Sequence, residues 1–374
     1  MFLHRTNTRK ITDVSKLFSL CVFLFAVLFS AAQEHESAEK KFNAGEMIME
    51  HVQDAHSWHV VGHYSIHLPI LLKTDKGFDI FSSSKFLNEH HEPVNVVVGS
   101  SSGYRFKLVH EHVKIVNELG EIDEPAMSSA GLIDFSITKN VFALLFGAIL
   151  MCSVFISVAK SYQRRPGQAP KGLQSLIEPL IIFVRDDIAK TSIGPKYSKY
   201  MPFLLTVFFF IWINNLVGLI PFFPGGANLT GSISVTLILA SITFIITVVS
   251  ANRHYWQHIF AMPGVPIGVL FILTPIEILG LFLRPFVLMV RLFANMTAGH
   301  IIALAFYSLI FIFGEMNAGA GFGVSVLSLA FAIFMFVMEL LVAFLQAYVF
   351  TLLSAMYFGS AVEEGHHGDE AHAH

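Results

Sequence analysis

Seven polar side chains stand in a stretch otherwise almost without polarity, and their spacing is that of helix faces: Glu277, Arg284, Arg291, Asn295, His300, Glu339 and Gln346. Glu277 and Arg291 are 14 positions apart. That is close to four helical turns, so they share nearly one face about 21 Å apart along a continuous helix. Arg284 lies midway on that face, and Asn295 is one turn beyond Arg291. Glu339 and Gln346, seven positions apart, share a face of a later segment. Arg stays protonated in proteins, so Arg291 is a fixed positive charge and cannot carry a proton in steps. Such a charge lowers the pKa of a carboxylate brought beside it and forces that carboxylate to release its proton. Glu277, His300 and Glu339 can each change protonation state, and water threading past them would form a relay. A plainer reading stands beside this one: Arg291 pairs with Glu277 or Glu339 and holds two helices together.

The surrounding chain dictates what must position these groups. Of its 374 residues 54% are hydrophobic and 14% charged, against about 25% charged in an average soluble protein. The mean hydropathy is +0.62, which excludes an ordinary soluble enzyme and points to a polytopic membrane protein. A formal net charge of -3 gives no electrostatic basis for a nucleic-acid partner. Two cysteines, Cys21 and Cys152, leave no Cys-based metal site and, with the leader removed, no intrachain disulfide.

Charge divides the chain sharply. Residues 33–131 carry 23 charged side chains, whereas 201–362 carry six. Arg5, Arg9, Lys10 and Lys16 precede an apolar run, Leu17 to Phe29, and then Ser30, Ala31 and Ala32. This is the three-part pattern of a secretory signal peptide over residues 1–32, with cleavage before Gln33. Residues 33–131 read as a small, strand-leaning extracytoplasmic domain, with an alternating stretch through Tyr104, Phe106 and Leu108. His56, His59, His63 and His67 fall there. Val60, Val61, Gly62 and Pro69 argue for an extended segment, so no helical metal site is expected and no cofactor is called for.

Residues 132–362 form the membrane part, judged against the roughly 20 apolar residues needed to cross about 30 Å of hydrocarbon. Spans are expected at Val141 to Ala159, Met201 to Phe223 and Ser232 to Ala251. Lys160 to Tyr200 holds eight Lys or Arg against three acidic residues, which by the positive-inside rule makes it cytoplasmic. Within it Leu176, Ile177, Leu180, Ile181, Val184 and Ile188 recur at helical spacing, the pattern of an amphipathic helix on the inner surface. Pro266 to Gly314 would be about 70 Å long as one helix, so it either breaks near Pro275 or Pro285 or lies strongly tilted. A loop at Glu315 to Gly321 would close it into a hairpin with Phe322 to Ala361. The expected fold is therefore all-α and polytopic: five membrane helices, a cytoplasmic amphipathic helix, and a long tilted C-terminal hairpin. The N-terminus falls outside, and a His-rich acidic tail at 363–374 falls inside.

At Arg291-Leu292-Phe293-Ala294-Asn295-Met296-Thr297-Ala298-Gly299-His300 the chain resembles subunit a of the F-type ATP synthase, the stator channel of its membrane sector. Asn215 to Pro221, Glu277 placed 14 residues before the Arg, and Leu345-Gln346-Ala347-Tyr348-Val349-Phe350 extend the resemblance, which covers roughly Phe135 to Val362.

The resemblance implies that Arg291 faces the carboxylate of a rotor ring of c subunits, with Gln346 near it on the opposing helix. It places Glu277, Asn295, His300 and Glu339 in or beside two aqueous proton half-channels offset on either side of the Arg. It also implies a b-subunit peripheral stalk and the remaining ATP synthase as partners, in a bacterial inner membrane. Many bacterial members carry Glu at the position of His300 and His at that of Glu339; here the pair is exchanged, as in mitochondrial-type members. The exported segment exceeds the family's core. The chain has no G-x-x-x-x-G-K-[ST] loop, so ATP chemistry would reside in partner subunits. The main rival reading is a proton-coupled secondary transporter, a class that shows repeated halves around a mid-membrane site; no internal repeat is visible here.

Overall fold

The computed structural model describes residues 45, 48, 53–61, 64–87, 96–109, 111–220, 223–262, 265–316 and 318–363. The expected signal peptide, His63 and the tail beyond residue 363 lie outside the described residues. Two compact units divide the chain. The larger, residues 43–58 and 65–374, carries the elements below except the end of β1 and the first residue of β2. Of the smaller, residues 1–42 and 59–64, the described positions 59–61 and 64 are extended.

The polar N-terminal segment is built of strands, as its alternation predicts. They are β1 (Ser57–Val61), β2 (Tyr64–His67), β3 (Pro69–Thr74), β4 (Gly77–Ser82), β5 (Val97–Val98), β6 (Arg105–Val109) and β7 (His112–Ile115). A short helix α1 (Glu124–Ala130) and the strand β8 (Ile133–Asp134) follow. One antiparallel sheet has the order β4-β3-β8 and another β5-β6-β7. In β3 every second residue is buried: Ile70, Leu72 and Thr74 face inward, as the two-residue period of a strand requires. Ile70, Leu72, Phe81, Phe106, Val113 and Ile115 form one apolar core. Asp79 is fully buried in it and accepts hydrogen bonds from the Ser101 amide (2.7 Å) and from the Ser102 hydroxyl. The carboxylate thereby anchors the turn that returns the chain into β6.

Among the described residues, five helices are long and apolar enough to cross a membrane. The first, α2 (Lys139–Arg164), starts at Thr138, whose hydroxyl accepts from the Val141 amide. Next comes α3 (Leu173–Phe183), which runs on through a π-helical stretch, Val184–Lys190, toward α4 (Tyr197–Gly218). Ile177, Val184, Ile188 and Ala189 are buried in the same core as Leu204, Phe208 and Phe209 of α4. The apolar stripe read as a surface-lying face therefore packs largely on protein, because α4 is apolar all round and needs a covering on that side. Leu176 stands outside this packing at 61% exposure. Asp186 bridges Arg185 (2.7 Å) and Lys190 (2.6 Å) on the polar side.

The helices α5 (Ile233–Ser250) and α6 (Arg253–Phe260) lead into the hairpin of α7 (Ile267–Met316) and α8 (Ala318–Val362). The helix α7 has 50 residues, about 75 Å at 1.5 Å per residue. It passes Pro275 and Pro285 without ending, which settles the alternative of a break. A continuous helix of this length cannot stand upright in about 30 Å of hydrocarbon. The backbone at Glu315 is still helical, so the connection is far shorter than the expected Glu315 to Gly321 loop. The hairpin leaves much apolar surface uncovered, including Phe282, Phe286, Val290, Phe336, Val337 and Leu341.

Candidate functional site

Polar groups from four elements converge on one cavity of about 210 Å³. The helix α7 contributes Asn295, Gly299 and His300; α8 contributes Glu339; α4 contributes Asn214 and Asn215; and the loop before α5 contributes Asn228 and Thr230. Met296, Phe334, Met335, Met338 and Val342 supply apolar walls. A water needs only about 10–15 Å³ of such space, so several fit, each within reach of amide, imidazole or carboxyl partners.

Local sequence explains how the groups meet. Glu339 lies against α7 at Gly299: a β-carbon there would stand 3.4 Å from Glu339 Oε1, in ordinary contact, so the space holds a methyl group and little more. The carboxyl thereby borders the same cavity as His300 of the facing helix. Asn215, only 2% exposed, ties three elements together. Its amide nitrogen donates to the Ala343 carbonyl of α8 at 3.4 Å, and its oxygen accepts from Thr230 Oγ1 at 2.5 Å. The loop is fastened to α7 as well, through Asn228 Nδ2 to the Met296 carbonyl (3.4 Å) and Thr297 Oγ1 to the Gly231 carbonyl (3.3 Å). Asn214 donates to the Phe210 carbonyl of its own helix at 2.7 Å.

Three of the six predicted site residues, Asn295, His300 and Glu339, thus share this cavity. Arg291, Gln346 and Glu277 do not line it. Arg291 is on the exposed surface of α7, and among the described residues it forms no salt bridge with Glu277 or Glu339. The helix-pairing reading of the arginine therefore has no support in the geometry. Gln346, on α8, is buried at 4% exposure.

A second polar cluster lies on the opposite side of Arg291 along α7. Arg284 donates to the Tyr255 hydroxyl of α6 at 3.4 Å and has its guanidinium carbon 5.9 Å from the centre of the Tyr357 ring of α8. Thr243, Thr247, Tyr255 and Tyr357 border a cavity of about 10 Å³ there, room for about one water. Burial pushes the Tyr255 hydroxyl above its ordinary pKa, the nearby Arg284 charge opposing this in part. Glu277 lies one further step along the same helix, half-buried. The two clusters are offset along α7, with Arg291 between them.

Reading the sequence alone missed Asn214, Asn228, Thr230 and Tyr255 as site-lining groups. Asn215 stands at the start of the Asn215 to Pro221 motif, which by itself assigns it no role. The Asn-Asn pair inside an apolar span carried the signal, because buried amides need partners; nothing in the loop marked Asn228 or Thr230 out.

Comparison with known proteins matches this architecture. The sequence pattern of the family described as ATP synthase A chain covers residues 141–359. A second pattern, described as a domain of unknown function (DUF8433), covers residues 47–135. The chain is 43% identical over 261 residues to a protein of Chloroherpeton thalassium named ATP synthase subunit a, covering 68% of this chain and 75% of that one. A protein of Chlorobaculum tepidum named ATP synthase subunit a 2 is 45% identical over 262 residues, 68% and 71% of the two chains. One from Chlorobium phaeobacteroides strain BS1, named ATP synthase subunit a, is 43% identical over 291 residues, 76% and 83% of the two. With five membrane-length helices, a polar seam in its last hairpin and these likenesses, the chain is a multi-pass membrane protein that belongs to the ATP synthase A chain family.

Proposed function

We propose that the chain is the stator channel of a rotary ATP synthase, with Arg291 set between two proton half-channels. The observation that carries this reading is the placement of Asn295, His300 and Glu339 around one cavity on one side of Arg291, while Arg284, Tyr255 and Glu277 lie on the other. A proton taken up through the larger cavity passes His300 and Glu339 to a carboxylate on a c-subunit ring docked against the exposed face of α7. Neutralised, that carboxylate can enter the hydrocarbon and ride the ring almost a full turn. On return it meets Arg291, whose fixed charge favours the ionised form and drives the proton out along the Arg284 and Glu277 side. The same charge repels protons that would cross directly between the half-channels. Gln346 supports this zone from α8.

The membrane potential acts on each translocated charge with about 2.3 kcal/mol per 100 mV, which is the drive the site would convert into rotation. The basic segment 160–200 faces the cytoplasm, the strand-rich segment is exported, and the host membrane is the bacterial inner membrane. A b-subunit stalk and the catalytic head complete the assembly. Two further roles are assigned by the chain's order: residues 33–131 are the exported domain and 132–362 the channel. A proton-coupled transporter is the weaker reading, since the five spans do not divide into repeated halves.

The test is passive proton conductance through the membrane sector, stripped of its catalytic head, carrying Glu339→Gln. A fall of about tenfold or more is expected if the carboxyl is a relay group. Unchanged conductance would remove Glu339 and its cavity from the path.

A further inference from the structure

The exported strand-rich segment has no role in the reading above, yet it packs against the loop that lines the larger cavity. Trp58, at the start of β1, is 4% exposed and packs with Ala143 of α2 and Ala227 of the loop before α5. Its ring stands edge-on to Phe142 at 5.6 Å and to Phe223 at 5.4 Å, and those two rings are 5.3 Å apart. Edge-to-face rings at such separations attract beyond their buried area. Immediately before Trp58 the chain is pinned to the start of α2: the Lys139 amide donates to the Ala55 carbonyl at 2.9 Å and the Asn140 amide to Asp54 Oδ1 at 3.0 Å. These are first-turn amides that the helix itself cannot satisfy. The other side of the same short stretch is held by Glu111, whose carboxylate accepts from the His56 amide at 3.1 Å.

Trp58 therefore sits on a fixed base and presses on the loop at Phe223 and Ala227. The next residues of that loop are Asn228 and Thr230, which line the cavity and bond to Met296 and Asn215. The connection from exported domain to cavity wall is one continuous set of contacts. It leaves the loop two fastenings: polar ones to α4 and α7 within the cavity, and an aromatic one to the domain outside it.

We infer that Trp58 is a positioning residue for proton uptake: the exported domain braces the loop at 223–231 as the outer wall of the half-channel. The inference rests on the reading of the larger cavity as that half-channel. Truncating the ring would free Phe223 and Ala227 to shift, and with them the amide and hydroxyl groups that present water to His300 and Glu339. The consequence falls on access from the domain side and leaves Arg291 and the far cluster untouched.

The experiment uses the whole complex in liposomes, the exported domain facing the acidified compartment, with synthesis rate per assembled complex recorded against pH on each side in turn. For Trp58→Ala the proton concentration giving half-maximal rate on the domain side is expected to rise roughly three- to tenfold, half to one pH unit. The profile for the other side should not move, and Trp58→Phe should return close to the parent. A merely structural role would lower the amount of assembled complex without moving the half-saturating pH. An unmoved profile in assembled Trp58→Ala, or an equal shift on both sides, overturns the inference. If Trp58→Ala does not assemble, Phe223→Leu carries the same test with the same two outcomes. Glu339→Gln in the same vesicles separates the two levels: full activity there would sink the half-channel reading itself, whatever Trp58 does.

Discussion

Glu339 lies against Gly299 across the α7–α8 hairpin, close enough that a β-carbon at 299 would stand 3.4 Å from its Oε1. The carboxyl's place in the cavity it shares with His300 depends on a small residue at position 299. A methyl group at 3.4 Å is ordinary contact, whereas a branched or longer side chain would occupy the carboxyl's own space. Gly299→Ala should retain most proton flow, and Gly299→Leu should reduce it about tenfold or more, read as ATP-driven pumping in vesicles with equal amounts of assembled complex. Equal activity in both variants would show that Glu339 is not held where the structure places it.

His300 and Glu339 face the same cavity from opposite helices. If their chemistry is that of a pair, exchanging both residues together should be tolerated better than either His300→Glu or Glu339→His alone. Pumping rates of the three variants decide the point, and a double exchange as poor as the worse single change would argue that each position has its own fixed requirement.

Asn215 bridges α4, α8 and the loop while almost fully buried. Removing its amide strands the buried Thr230 hydroxyl without its acceptor and cuts the tie to α8, and a buried group left unsatisfied costs about 1–3 kcal/mol. Asn215→Leu should therefore lower the thermal stability of the detergent-solubilised complex more than Asn228→Ala, because Asn228 is only half-buried. A melting curve that ranks them the other way would contradict the bridge.

Acid should loosen the brace made by the N-terminal strand-rich segment. Burial pushes the Glu111 carboxyl up, but its hydrogen bonds and charge interaction with His56, with the Lys139 charge, outweigh this and hold it below the ordinary carboxylate value. A folded pKa below the unfolded one gives stability that is full above the unfolded value and is lost as pH falls through the lowered one. Protease sensitivity of the strand-rich segment in the intact complex should thus rise only in the acid range below the ordinary Glu titration. In Glu111→Gln this acid-dependent rise should be absent; an unchanged pH dependence in that variant would assign the effect to other groups.

Much of the membrane architecture was legible because spans are written in long apolar runs: α2, α4 and α5 fall within a few residues of their expected positions. The length of Pro266 to Gly314 already demanded a break or a tilt, yet local sequence could not decide between them. Two prolines that would end a free helix are tolerated when the helix is held along its length by a partner. The stripe at Ile177, Val184 and Ile188 had the correct period, but period alone cannot say whether an apolar face meets lipid or another helix. Among the site residues, helical spacing aligned Glu277, Arg284 and Arg291, and the long continuous helix keeps them in that order. What spacing could not show was that Arg284 turns to Tyr255 and Tyr357, or that a loop supplies Asn228 and Thr230, since both depend on contacts distant in sequence.

The central claim is that Arg291 acts as a guanidinium placed at a rotor interface rather than as one charge among others. ATP-driven proton pumping by vesicles carrying Arg291→Lys, beside the parent and with assembly confirmed by co-purification of the other subunits, tests it most directly. Lys keeps the charge but lacks the planar fork and the pKa that ensure permanent protonation, so pumping should be lost in an intact complex. Normal pumping by the Lys variant would contradict the account.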